Sequence, residues 1–351
     1  MAQKVAIGFD HGNGYVKGKS DLVDRYIIPS AVAYEEKVPR FLNGELEVDE
    51  YYLRKGTSGL EQDTVYVFGD DVFEISDYMP TMGHQDRIKN DKYKVLSDIV
   101  LAELAGDEEA ISSVIVTGVP SNQIGTRYED ELKKFLKSTH IATVEDQNIV
   151  VQVSDVIVIP QPVGTVMYLY LDEEGYIQNS AYETDSVCVI DIGKGTTDID
   201  HIKGLKRTED YHSIGKGMYD VYTRIAKAIN KEHPNANANA ESVEKFFEHA
   251  KFEVSKRHIV PFEKEKQKAI QEVADELITE ITRSLKSWDR FDEIVLTGGG
   301  AEVFEEYIRK VMPDIEVIED AQFSNTEGFY RYAKYIKEVK YGDTESVSVE
   351  V

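Results

Sequence analysis

Ile7-Gly8-Phe9-Asp10-His11-Gly12-Asn13-Gly14-Tyr15-Val16-Lys17 recurs, in altered form, as Val189-Ile190-Asp191-Ile192-Gly193-Lys194-Gly195-Thr196-Thr197-Asp198. Asp10 aligns with Asp191, Gly12 with Gly193, and Gly14 with Gly195. In both copies an apolar run reads as a buried strand ending in aspartate, followed by a glycine turn and a second extended segment. Such self-similarity predicts two copies of one β-hairpin unit. The strand brings a carboxylate to the mouth of the turn. The glycines open backbone conformations closed to other residues and let amide N–H groups approach a phosphate closely. Two such turns would enclose a polyphosphate, with Asp10 and Asp191 facing its Mg²⁺ through water. Three residues after the second glycine the copies differ: Lys17 supplies positive charge in the first, and Asp198 stands in the second. Either copy alone also fits an ordinary hairpin with a glycine turn.

A third cluster, Leu296-Thr297-Gly298-Gly299-Gly300-Ala301, lies between a predicted strand (Phe291 to Thr297) and a predicted helix. Bare backbone there lets a base or ribose pack closely, and a helix N-terminus favours a phosphate. No GxxxxGK[ST] loop occurs, so the P-loop reading fails.

Working outward, residues 35–90 are polar, aromatic and irregular, and read as an insertion on the first core. Helices are expected over 91–105, 127–138, 161–171, 216–231, 262–287 and about 326–338, with strands over 113–118 and 149–159. His233 to Ala240 is a low-complexity loop whose asparagines suit a helix cap. Lys251 to His258 is locally basic. It reads as a solvated helix face, with contact to phosphate or a neighbouring subunit as the alternative. The tail after Tyr341 is short and acidic.

The formal charge is −25, from 65 acids against 40 bases, so DNA and anionic lipid would repel the surface. Any link to nucleic acid would run through a basic adaptor. One cysteine, Cys188 in an apolar run, excludes an internal disulfide and fits a reducing cytoplasm as a buried strand residue. No apolar stretch approaches the ~20 residues that span a bilayer, and no signal-peptide core opens the chain. The eight histidines lack zinc-ligand spacing, and His11 reads as a spacer or a tuning group. The 21 tyrosines do not by themselves locate an interface.

Taken together, the three glycine clusters resemble those of the actin, heat-shock-chaperone and sugar-kinase superfamily. Asp10 to Lys17 is similar to its first phosphate loop, Asp191 to Thr197 to its second, and Ile294 to Glu302 to its adenosine motif. Gln161, after Pro160, resembles the glutamine of the first connecting helix. Gly215-Lys216-Gly217 resembles the glycine turn before the helix that lines the ribose. Within the superfamily the likeness is to plasmid-segregating actins of the ParM type, carried by Gly8 to Lys19 and by Asn325 to Tyr332.

This resemblance implies an α/β fold of duplicated, RNase H-like domains, each a mixed five-stranded sheet with flanking helices, and a nucleotide cleft between them. Domain I is expected over 1–172, with an insertion at about 33–90 and the helix 324–340 packing back on it. Domain II is expected over 173–323, with an insertion at about 232–262. The implied activity is polymerisation-coupled ATP hydrolysis, with ATP versus GTP left open. Filaments would then act on plasmid copies through a DNA-binding adaptor of the ParR type at a centromere-like site.

Implied catalytic residues are Gln161, Asp191 and Asp10, the two aspartates also holding Mg²⁺ through water. Implied nucleotide contacts are Gly12, Asn13, Gly14, Tyr15, Lys17, Gly193, Lys194, Gly195, Thr196, Gly215, Gly217, Gly298, Gly299, Gly300 and Ala301. The founding ParM carries glutamate where this chain has Gln161. An amide is no strong base, so water positioning is expected instead of proton abstraction. Three rivals are a small-molecule kinase with Asp198 as base, a chaperone ATPase, and a membrane-attached division actin. The sequence offers no acceptor site, no peptide-binding domain and no amphipathic anchor for them.

Overall fold

Every residue of β1 (Val5–His11) is buried, the pattern of a central strand covered on both faces. β2 (Tyr15–Ser20) returns antiparallel beside it and alternates buried with half-buried residues, and β3 (Tyr26–Pro29) continues the meander. The computed structural model describes residues 4–38, 40, 64–75, 77–81, 87–144, 147–285 and 287–342. The chain divides into two units, Met1–Ser180 with Asn325–Val351, and Ala181–Ser324.

In the first unit, β4 (Ala31–Tyr34), β5 (Tyr66–Val67) and β6 (Met79–Pro80) make a small sheet, ordered β5-β4-β6, over its own core of Ala31, Ala33, Val67, Val72 and Ile75. These strands fall in or beside the stretch at about 33–90 that reads as an insertion, of which residues 39, 41–63, 76 and 82–86 lie outside the described ones. α1 (Asp91–Glu103) starts at Asn90, whose side chain accepts from the Lys92 amide. β7 (Ala110–Val119) runs parallel to β1. α2 (Arg127–Leu136), β8 (Thr139–Val144), β9 (Gln147–Pro160) and α3 (Gln161–Tyr170) follow. The main sheet is ordered β3-β2-β1-β7-β9-β8.

It thus has six strands, one more than expected. The extra strand is β8, which pairs antiparallel with the long β9. Its sequence hides it, because the buried position His140 is polar. The histidine is accommodated by Asp98, whose Oδ1 lies 2.6 Å from Nδ1, both side chains being buried.

The second unit repeats the hairpin: β10 (Ser186–Ile192) pairs antiparallel with β11 (Thr197–Lys203), and β12 (Lys206–Ile214) adds an edge. β12 was not evident from the sequence because it is exposed or half-buried throughout and lacks an apolar alternation. α4 (Met218–Glu232) leads to α5 (Ala240–Lys245), capped by Asn239 through the Ser242 amide. β13 (Lys251–Ser255) and β14 (His258–Pro261) form a hairpin. The basic run 251–258 is therefore a hairpin and not the helix face expected. Phe252 and Val260, paired across the two strands, are buried while the residues on either side of each are exposed, the alternation of a strand. α6 (Glu263–Leu285), β15 (Glu293–Thr297), α7 (Ala301–Arg309) and β16 (Glu316–Val317) complete a five-stranded sheet ordered β12-β11-β10-β15-β16. β15 runs parallel to β10, as β7 does to β1. Cys188 is fully buried in β10, and burial pushes its thiol pKa up, away from reactivity.

α8 (Ser324–Tyr341) lies almost entirely in the first unit. Glycines let it approach backbone to backbone. A Cβ on Gly8 would sit 2.5 Å from the Thr326 carbonyl oxygen, and one on Gly328 1.8 Å from that of Gly164. Phe329, fully buried, fills the space over Gly118 and Gly164. Residues 343–351, the acidic tail, lie outside the described ones. Among the described residues no helix is long and apolar enough to cross a membrane.

Candidate functional site

The two turns are the same object. In the first, Asp10 pairs in register with Lys17 and the Gly12 amide donates to the Tyr15 carbonyl at 3.0 Å. In the second, Asp191 pairs with Asp198 and the Gly193 amide donates to the Thr196 carbonyl at 2.8 Å. Their electrostatics are opposite. Lys17 Nζ lies 3.7 Å from Asp10 Oδ2, so that pair is close to neutral. Asp191 and Asp198 face each other with like charge, and Thr196 Oγ1 donates to Asp198 Oδ2 at 3.2 Å. The first turn pairs a cation with its carboxylate, and the second sets two carboxylates in register.

The first turn is held from behind by His11. Its Nδ1 lies 3.1 Å from Ser97 Oγ and its Nε2 2.9 Å from Thr81 Oγ1, with the ring stacked on Tyr93. Burial, and then the positive charge of Arg87, push its pKa well down and keep it neutral. Ser30 closes the bracket: its hydroxyl donates to the Gly12 carbonyl at 2.7 Å, and its amide to that of Gly14 at 2.9 Å. His11 is thus a structural bracket that ties the turn to the insertion. Ser30, Thr81 and Ser97 escaped the sequence reading, since single hydroxyl residues carry no spacing signal.

The second turn is gripped by α4. The Met218 and Tyr219 amides donate to the Gly193 and Lys194 carbonyls at 3.2 and 2.8 Å. Gly217 makes this possible, because a Cβ there would lie 2.4 Å from the Gly193 oxygen. Lys194 Nζ is directed to Glu244 at 2.6 Å, and Lys216 Nζ to Glu276 at 2.7 Å. The third cluster packs on the same turn. Gly298, at φ +89°, would put a Cβ 2.3 Å from Asp191 Oδ1, and the Gly300 amide donates to the Ile192 carbonyl at 2.8 Å. A Cβ on Gly299 or Gly215 meets nothing closer than 3.6 Å. Gly217, Gly298 and Gly300 serve the fold, whereas Gly215 and Gly299 have room on their side-chain faces.

Gln161 opens α3, directly after β9. Its Nε2 donates to Asp10 Oδ1 at 3.0 Å, joining the first turn to the helix. Gly118 stands behind it, since a Cβ there would lie 2.8 Å from Gln161 Cγ.

The family model for the N-terminal domain of actin-like proteins matches residues 8–164, and that for the C-terminal domain of the archaeal actin homologue MreB-like matches residues 189–310. The chain belongs to the actin-like proteins. It is ParM-type in its likeness: the apo ParM protein of psk41 is 26% identical, with a TM-score of 0.75 over 96% of this chain and 99% of that one. The archaeal actin homolog Ta0583 shares the fold at 21% identity and a TM-score of 0.76, covering 94% and 98%. It has also been solved in complex with ADP. The ParM of a 15-stranded filament from Clostridium botulinum shares it at 20% identity and 0.72, covering 95% and 99%. No curated protein matches the chain.

In the second unit of this actin-like protein an open cavity of about 610 Å³ runs along α7 from Glu302 to Arg309, and none of the residues expected to contact the nucleotide lines it. Phe247, Ile270 and Val303 give it apolar walls, and Lys266, Gln267 and Glu302 a polar rim. Lys266 Nζ donates to the Phe247 carbonyl at 2.8 Å and lies over that ring. The size suits an organic ligand. Nothing in the sequence pointed to Phe247, just after α5, or to Lys266 on α6, which reach α7 through tertiary packing.

Proposed function

We propose that this actin-like protein binds and hydrolyses ATP, assembles into filaments, and segregates plasmid DNA through a DNA-binding adaptor of the ParR type. The observation that carries the reading is the duplicated turn, with one register and one closing hydrogen bond, but Lys17 in one copy and Asp198 at the equivalent place in the other. Phosphoryl transfer needs chiefly positioning and charge stabilisation. Each turn by itself carries donors suited to that: Lys17 and the amides of Gly12 to Tyr15 in the first, and the amides of Gly193 to Thr196 in the second.

Among the described residues no three His, Cys, Asp or Glu side chains form a metal cage. Asp10 in the first turn and Asp191 in the second each offer hard carboxylate oxygen of the kind that would hold a Mg²⁺ retaining much of its water. Bound there, the ion would neutralise phosphate charge. Gln161 donates to Asp10 through Nε2, which leaves its amide oxygen to accept from a water and orient it. Gly215 and Gly299 would stand near the ribose.

The ADP complex of Ta0583 supports the choice of a nucleotide, and the Clostridium botulinum filament supports self-assembly. Net charge −25 favours an adaptor over direct DNA contact. Light scattering and pelleting on addition of Mg-ATP, with inorganic phosphate followed in parallel, test the reading. Polymer and phosphate release without an acceptor are expected. Absence of pelletable polymer across nucleotides and salts would sink it.

A further inference from the structure

Resting on that reading, we propose that the β13–β14 hairpin tip of one copy docks on the turn 172–177 of a second copy. The tip joins Ser255 to His258 through Lys256 and Arg257, all exposed. Residues 251–259 hold Lys251, Lys256 and Arg257 against one acid, Glu253. Among the described residues neither Lys256 nor Arg257 pairs with a carboxylate, while Ile259 beside them is 48% exposed. This is a basic tip with an apolar shoulder, on a chain whose surface is otherwise dominated by acid.

The complementary feature is in the first unit. Asp172-Glu173-Glu174-Gly175-Tyr176-Ile177 carries three acids and no base. Tyr176 and Ile177 are 63% and 49% exposed, the most open pair of neighbouring large apolar side chains described. The turn is rigid. Asp172 Oδ1 accepts from the Glu174 and Tyr176 amides, and Lys334 Nζ donates to the Glu173 carbonyl. Gly175, at φ +85°, lies so close to α8 that a Cβ would meet the Tyr335 nitrogen at 2.8 Å. An ordered, acid-rimmed apolar surface loses little entropy on binding.

Two copies with net charge −25 repel each other generically, so a stable contact between them needs an exposed basic element. The hairpin tip supplies it, and charge and apolar area match on the two patches. Because the patches differ, the contact is heterologous. It leaves a free tip at one end of an oligomer and a free turn at the other, and growth need not stop.

Polymer pelleting with Mg-ATP tests this on the full chain. Lys256→Glu with Arg257→Glu, and separately Glu173→Lys with Glu174→Lys, should each raise the critical concentration by more than about tenfold, as like charges meet. Both should retain wild-type binding of a fluorescent ATP analogue. Mixed in equal amounts, the two double variants should co-assemble, because the acidic tip of one meets the basic turn of the other and the unaltered tip of the second meets the unaltered turn of the first; failure of the mixture to assemble overturns the proposal. The quadruple variant restores opposite charges across every contact and should recover assembly. Assembly of either double variant at the wild-type critical concentration overturns the docking proposal and leaves the filament reading standing. So does failure of the quadruple variant to recover. Loss of DNA binding alone by the hairpin variant would make the tip a nucleic-acid contact and would also overturn it. If the wild-type chain itself forms no polymer, the filament reading falls, and this proposal with it.

Discussion

Gly298→Ala separates what the fold requires from what a ligand requires. Gly298 sits at φ +89°, where a Cβ is disfavoured by about 1–2 kcal/mol. The new methyl would lie 2.3 Å from Asp191 Oδ1 and 2.5 Å from the Ile192 carbonyl oxygen, against an ordinary contact of 3.4 Å or more. Overpacking of this kind costs about 1–3 kcal/mol, so the two effects together predict a loss of about 2–5 kcal/mol. The carboxylate must retreat by about 1 Å, and a displacement of that size in a catalytic group can lower a rate by about 100-fold. Gly299→Ala and Gly215→Ala provide the controls, since a Cβ at either meets nothing closer than 3.6 Å and neither has positive φ. Urea unfolding, affinity for a fluorescent ATP analogue and single-turnover phosphate release should be measured on all three. Gly298→Ala should lose stability and turnover. Gly215→Ala and Gly299→Ala should keep wild-type stability and lose nucleotide affinity. A Gly298→Ala protein with an unchanged urea midpoint and rate would refute the packing assigned to the third cluster.

Three further outcomes are expected. Asp191→Ala should retain more nucleotide binding than hydrolysis, whereas Lys17→Ala should weaken binding itself; the reverse pattern in equilibrium binding and phosphate release would undo the division between the turns. His11 has a lowered pKa through burial and the charge of Arg87. The unfolded chain therefore takes up the proton first as pH falls below about 6.5, and stability present above that value should decline by up to about 1.4 kcal/mol per pH unit. In urea melts from pH 7.5 to 5, His11→Gln should flatten that slope, at the expense of some stability from the altered bracket. Glu293 shows the opposite sign: burial and the neighbouring Glu316 raise its pKa to about 7, against the hydrogen bond from Tyr182. Stability it contributes near pH 5 is lost as pH rises through about 7, so Glu293→Gln should raise the melting temperature more at pH 8 than at pH 5.

Much of the site was legible because it is local. Asp10 and Asp191 stand at strand ends and the glycines that turn the chain follow at once, so strand, turn and carboxylate can be read in one window. The helix starts near Gln161 and Ala301 were visible for the same reason. What could not be read depends on contacts distant in sequence. The pairing of His11 with Thr81 and Ser97 spans 70 and 86 residues. The cavity beside α7 joins side chains from just after α5, from α6 and from α7. β8 and β12 were missed because a polar buried residue and an exposed edge each remove the alternation by which a strand is recognised. The run 251–258 reads as a helix face in the sequence because charge at most positions masks the single buried pair, Phe252 and Val260, that makes it a hairpin.

The sequence by itself determined that this protein has two copies of one turn, unlike in charge, and a third glycine cluster downstream. Backbone freedom at glycine and the register of a hairpin are properties of short segments, and no tertiary contact is needed to establish them. Only the tertiary structure decided which glycines the fold consumes. Gly298 and Gly300 close on Asp191 and Ile192, Gly217 closes on the second turn, and Gly215 and Gly299 keep their space. That distinction depends on atoms about 100 residues apart meeting at 2.3 Å, and packing density, which no local pattern encodes, sets it.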